Sequence, residues 1–159
     1  MISYVKSLAP VDQRPVPIYV GPTARILHAT GLFPLVPTEV IDHSAPRPRE
    51  VAKGKTKEYG EYLANTCTGC HSTGLSGGPI PGIPAQPPYP ANLTADVATG
   101  LGTWQEADFV SALRTGMRPD GTQIATAMPW QTFKTMTDDE LGALWLYLQS
   151  VPSKAAGNR

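Results

Sequence analysis

Cys67-Thr68-Gly69-Cys70-His71 is the stretch on which the reading of this chain turns. Its two cysteines are the only ones among 159 residues, so no disulfide framework is spread over the fold, and cysteine usage points to a site. Two thiols at this spacing at a helix end can reach the two vinyl groups of one haem and form thioethers. The residue that follows, His71, then sits under the iron with its imidazole as proximal ligand. Two rivals share the C-x-x-C pattern: a thioredoxin-like redox pair and half of a zinc site. Zinc wants two further ligands, and the remaining histidines, His28 and His43, lie in a proline-rich segment without metal spacing. A thiol redox pair wants a βαβ context, and none is visible. Haem is the favoured reading, with the thiol pair behind it.

Working outward, three helices are expected. The first runs from about Lys55 into the cysteine pair, with Tyr59, Tyr62, Leu63 and Thr66 at helical spacing. The second opens at Thr103-Trp104-Gln105-Glu106, read as a capping box, and carries Phe109, Val110 and Leu113 until Gly116. The third opens at Thr137-Asp138-Asp139-Glu140, another capping box, and puts Leu141, Leu144, Trp145 and Leu148 on one stripe before Pro152. Gly74 to Pro90, rich in glycine and proline, is expected to be irregular loop.

The N-terminal part is different. From Pro10 to Pro48 the chain holds eight of its seventeen prolines without periodicity, which predicts an extended wrapping segment with one short helix over residues 23–30. Its apolar residues, among them Ile26, Leu27, Leu32 and Val36, are too many for a solvated linker and suggest that it packs on something. The expected division is residues 1–50 as Pro-rich segment and 51–159 as an all-α domain with long irregular loops.

Basic and acidic residues balance at 13 each, which removes the electrostatic reason for a nucleic-acid partner. The balance is uneven along the chain: residues 1 to 57 hold eight basic and four acidic side chains, and residues 58 to 159 hold five and nine. No apolar run approaches the ~20 residues that cross a bilayer, and the start has no secretory-signal pattern.

An electron-transfer haem needs a sixth ligand, because an open iron position invites oxygen or peroxide chemistry. Met117, Met128 and Met136 are the candidates. Met136 precedes a helix cap, Met117 sits beside the turn Arg118-Pro119-Asp120-Gly121, and Met128 lies in an irregular loop followed by Pro129. A loop methionine held by proline can lie across a haem face, so Met128 is the expected ligand. The other two are read as packing residues.

With these residues in place the sequence resembles class I c-type cytochromes, and within them the haem domains that serve bacterial membrane-bound dehydrogenases for alcohols, aldehydes or sugar acids such as gluconate. The resemblance covers about Gly54 to Pro152. It rests on Gly60-Glu61-Tyr62-Leu63-Ala64-Asn65, Gly77-Gly78-Pro79, Asn92-Leu93-Thr94, Gly100-Leu101-Gly102-Thr103-Trp104, Arg118-Pro119-Asp120-Gly121, Met128-Pro129-Trp130 and Tyr147-Leu148-Gln149-Ser150, in that order. It implies a class I cytochrome c fold and one haem c on Cys67 and Cys70, with His71 and Met128 as iron ligands. It further implies that the carbonyl of Pro79 accepts from His71, that the indole of Trp104 contacts a haem propionate, and that Gly60 crosses the last helix at Trp145 or Tyr147.

The function so implied is single-electron transfer from a dehydrogenase or quinol-linked donor toward a terminal acceptor, without an enzymatic activity of its own. The partners would be a dehydrogenase subunit, an oxidase or another cytochrome, with membrane association through a partner. Rival readings are a peroxidase-like catalytic haem and a gas-sensing haem. Haem attachment of this type takes place outside the cytoplasmic membrane, so a periplasmic or outer-face location is expected although no export signal is present. That contradiction, with the likeness of Tyr4-Val5-Lys6-Ser7-Leu8 to Tyr147-Leu148-Gln149-Ser150-Val151, leads to the expectation that the chain is the C-terminal piece of a longer, exported, multi-haem polypeptide.

Overall fold

The computed structural model describes residues 2–12, 14, 16–32, 34–46, 50–80 and 84–158. The chain divides into two compact units, Met1–Pro48 and Arg49–Arg159. Seven α-helices and one 3-10 turn are found among the described residues, and no strand beyond an isolated bridge between Met117 and Gln123.

In the first unit, α1 spans Ile2–Ser7 and α2 spans Pro22–Ala29, with a 3-10 turn at Pro37–Val40. Pro22 fits the first turn of α2, where its missing N–H has no helical partner to lose. The helix buries none of its residues. Ile18, Tyr19 and Leu32 are likewise exposed, Ile18 to 92%.

The second unit is built on α3 (Lys57–Ala64), α4 (Thr68–His71), α5 (Glu106–Thr115), α6 (Trp130–Phe133) and α7 (Asp138–Ser150). Alpha7 supplies the core. Its start is the expected capping box: Thr137 Oγ1 accepts from the Glu140 N–H at 3.2 Å, and Glu140 Oε2 accepts from the Thr137 N–H at 2.8 Å. Leu141, Leu144, Trp145 and Leu148 are all buried, Leu141 completely. Each such leucine contributes roughly 1.5–3 kcal/mol of burial free energy. Alpha5 joins through Phe109, whose ring centroid lies 5.7 Å from that of Trp145.

Alpha3 makes the principal helix contact with α7. The expected glycine crossing is present, displaced from Trp145: a Cβ on Gly60 would run into the carbonyl of Ala143 and come within 2.9 Å of Tyr147 Cβ.

Two boundaries differ from expectation. The first helix does not run unbroken into the cysteines. It ends at Ala64 because nearby polar side chains compete for its carbonyls: Asn65 Nδ2 donates to Glu61 and Tyr62, and Thr66 Oγ1 to Leu63. Alpha5 starts later than the Thr103 box. A turn in which the Trp104 N–H donates to Leu101 uses up that stretch, and the cap moves to Gln105, whose N–H donates to Asp108 Oδ2 at 2.9 Å.

Lys55, in the loop before α3, pairs with Glu106 on α5 at 2.6 Å, and Arg114 on α5 pairs with Asp138 at the start of α7 at 2.7 Å. Both are substantially exposed, so each is worth at most about 1 kcal/mol.

Candidate functional site

The break after α3 delivers the site. Cys67 donates its N–H to Ala64, the chain turns, and the His71 N–H returns to the Cys67 carbonyl at 2.9 Å. One short helical turn therefore presents both cysteines and the histidine together. Cys67 is half-buried and packs on the core, whereas Cys70 is exposed, and neither forms a disulfide. Burial pushes the Cys67 thiol above its ordinary value, opposed by a hydrogen bond from Thr66 and reinforced by Cys70. Among the described residues no cluster of three or more histidine, cysteine or carboxylate groups is placed to hold a metal ion.

His71 is buried, 6% exposed, and its Nδ1 lies 2.8 Å from the carbonyl oxygen of Ala91. A carbonyl only accepts, so Nδ1 carries the proton and Nε2 the coordinating lone pair. The acceptor is thus Ala91 and not Pro79, which is exposed. The reason is the path of the loop. The Gly78 N–H donates to Pro90 and the Leu93 N–H to Leu75, which lays residues 90–93 beside 75–78. Gly77, at φ +68°, permits the approach, since a Cβ there would meet the Pro90 and Ala91 carbonyls. Pro79 follows that contact and is carried outward.

On the other side, α5 ends at Gly116 with φ +76°, and the Met117 to Gln123 bridge encloses the turn at Arg118–Gly121. The chain then reaches Met128, whose N–H donates to Ala125 and whose carbonyl accepts from the Trp130 N–H at 2.8 Å. Met128 is half-buried against the core and lies near His71. Met136 also packs on the core, just before the α7 cap, whereas Met117 is 43% exposed and fills no core position.

Trp104 is half-buried and packs on the core through its ring. A second tryptophan attracts more interest. Among the described residues the buried side-chain N–H groups without an acceptor are Trp130 Nε1 and Gln149 Nε2. The Trp130 ring lies over Gly116, where a Cβ would come within 2.6 Å of it. A buried indole N–H normally finds an acceptor. Sequence reading passed over Trp130, although its place two residues after Met128 was the available signal.

These residues fit an iron porphyrin. Two cysteines stand on one short helical turn, a histidine has its ring oriented by the bond at Nδ1, and a methionine in an irregular loop lies near it. The unsatisfied indole N–H next to that loop suits a carboxylate such as a haem propionate.

The comparisons agree. The family model "Cytochrome c" matches residues 51–152. The chain is 33% identical over 121 residues to a fructose dehydrogenase cytochrome subunit of Gluconobacter japonicus, covering 72% of this chain and 24% of the relative. It is 37% identical over 95 residues to the cytochrome c subunit of an alcohol dehydrogenase (quinone) of Gluconobacter oxydans (strain 621H), covering 55% and 20%. It is 34% identical over 108 residues to a gluconate 2-dehydrogenase cytochrome c subunit of Pantoea cypripedii, covering 63% and 24%. The matched regions span about a quarter or less of these relatives' lengths. The chain belongs to the cytochrome c family, and it is an electron carrier with covalently held haem c.

Proposed function

We propose that residues 51–159 hold a single haem c, attached through Cys67 and Cys70 and ligated by His71 Nε2 and the Met128 sulfur. Bound there, haem c supplies a one-electron couple between ferrous and ferric iron. The observation that carries the reading is the bond from His71 Nδ1 to the Ala91 carbonyl, which orients the ring and leaves Nε2 as its ligating nitrogen. Held by both His71 and Met128, the iron would keep its ligands on gaining or losing an electron, so little would rearrange, as a carrier needs. The Met128 thioether favours the reduced form and raises the potential. Cys70 is exposed, so the edge near its thioether is the port for electron exchange.

The relatives are cytochrome subunits of fructose, alcohol and gluconate dehydrogenases, which supports a dehydrogenase as electron donor here too, outside the cytoplasmic membrane. Among the described residues no helix is long and apolar enough to cross a membrane. Residues 1–50 are the linker, and their exposed apolar side chains are the contact surface for a partner.

Expression in a host with haem-attachment machinery tests the reading. One haem per chain should resist extraction by acid and organic solvent, and Cys67→Ala with Cys70→Ala should abolish it. Extractable haem, or two haems per chain, would overturn the proposal. Carbon monoxide binding to the reduced, unmodified protein would favour the peroxidase-like or gas-sensing readings instead.

A further inference from the structure

The loop that carries the Ala91 carbonyl has no regular secondary structure, yet it must hold that oxygen steady against His71. What holds it is the next residue. Asn92 is 4% exposed, and all the capacity of its amide is used. Its Oδ1 accepts from the Thr94 N–H at 3.0 Å and the Thr94 hydroxyl at 2.8 Å. Its Nδ2 donates to Thr99 Oγ1 at 3.0 Å and to the carbonyl of Lys154 at 2.6 Å.

Lys154 belongs to the C-terminal tail, beyond α7 and beyond the residues the family model matches. The tail is stitched to both arms of the loop. The Lys154 N–H donates to Thr94 Oγ1 at 3.2 Å, and the Ala156 N–H donates to Thr99 Oγ1 at 3.0 Å. The Gly157 N–H donates to the Ser76 carbonyl at 2.9 Å, and the Ser76 hydroxyl to the Asn158 carbonyl at 2.7 Å. Ser76 and Thr94 are fully buried, so these bonds form in a site where an unmade one is costly.

We infer that Asn92 and the tail residues 153–158 form a clamp that fixes the Ala91 carbonyl and, through it, the ring of His71. Asn92 is a positioning residue: it acts on the iron ligand through one backbone carbonyl. The inference rests on the reading of His71 as ligand. A hydrogen bond from Nδ1–H raises the basicity of the ligating nitrogen, which favours ferric iron and lowers the potential. Loosening the clamp weakens that bond, so the potential rises.

The test uses the haem-loaded full chain, Asn92→Ala, a chain ending at Pro152, and the two changes combined. In the unmodified reduced protein, the His71 Nδ1–H resonance should appear in the region shifted by the haem ring current. Its absence there would overturn the ligation reading separately from the clamp. In both variants the potential should rise and that proton should exchange roughly tenfold faster. The amides of α5 should exchange as before, which separates a lost positioning contact from general destabilisation. The combined variant should change less than the sum, because both changes break one network. If Asn92→Ala retains no haem, the chain ending at Pro152 decides alone. An unchanged potential and an unchanged Nδ1–H exchange rate in that chain would overturn the clamp.

Discussion

Gly60 on α3 lies against the carbonyl of Ala143 on α7, with Tyr147 Cβ 2.9 Å from where a side chain on Gly60 would begin. The crossing that frames the haem-bearing turn exists only because position 60 has no side chain. Gly60→Ala should therefore force the two helices apart. It should lower the stability of the haem-loaded protein by about 1–3 kcal/mol, as overpacking of a tight contact does. Denaturant unfolding of the holoprotein measures this. A variant as stable as the parent would show that the crossing relaxes without cost.

Trp130 should tune the potential. If its buried Nε1–H meets a haem propionate, Trp130→Phe leaves that carboxylate charge less compensated, stabilises ferric iron and lowers the potential. Trp104→Phe should leave it nearly unchanged. Spectroelectrochemical titration of the two variants distinguishes them, and the reverse outcome would return the propionate contact to Trp104.

Acid should weaken the start of α7. The Glu140 carboxyl is held below its ordinary value of 4.5, first by the Thr137 backbone N–H, then by the Thr137 and Tyr59 hydroxyls, with burial opposing. A carboxyl lowered by folding contributes stability that is full above its unfolded pKa and is lost as pH falls through the lower folded one. The stability difference between the parent and Glu140→Gln should be constant near neutrality and shrink below about pH 4.5. The group is largely solvent-accessible, so the difference should be small and salt-sensitive. A difference that grows as pH falls would contradict the assignment.

Much of this site was legible in the sequence, for reasons specific to each part. Cys67, Cys70 and His71 are contiguous and need no tertiary information. The Thr137 to Glu140 box and the Leu141, Leu144, Trp145 and Leu148 stripe are local and periodic, and both stand as read. Gly116 likewise stops α5 where expected. What failed depended on contacts distant along the chain. The acceptor for His71 lies twenty residues away, at Ala91, because an irregular loop folds back beside Gly77. No spacing rule reports which carbonyl of such a loop arrives there. The buried, unsatisfied indole of Trp130 was passed over because it is a fact of burial and not of order; the part given to Trp104 stays an expectation. The tail from Ser153 to Asn158 carries no periodicity or motif, and its bonds to Asn92, Thr94 and Ser76 appear only in three dimensions.

The central claim is that iron is held between His71 and Met128, and the near-infrared sulfur-to-iron band of the oxidised holoprotein tests it most directly. The band should be present in the parent, absent in Met128→Ala and retained in both Met117→Ala and Met136→Ala. Carbon monoxide should bind the reduced protein only where the band is lost. Survival of the band in Met128→Ala would place the ligand elsewhere and contradict the account.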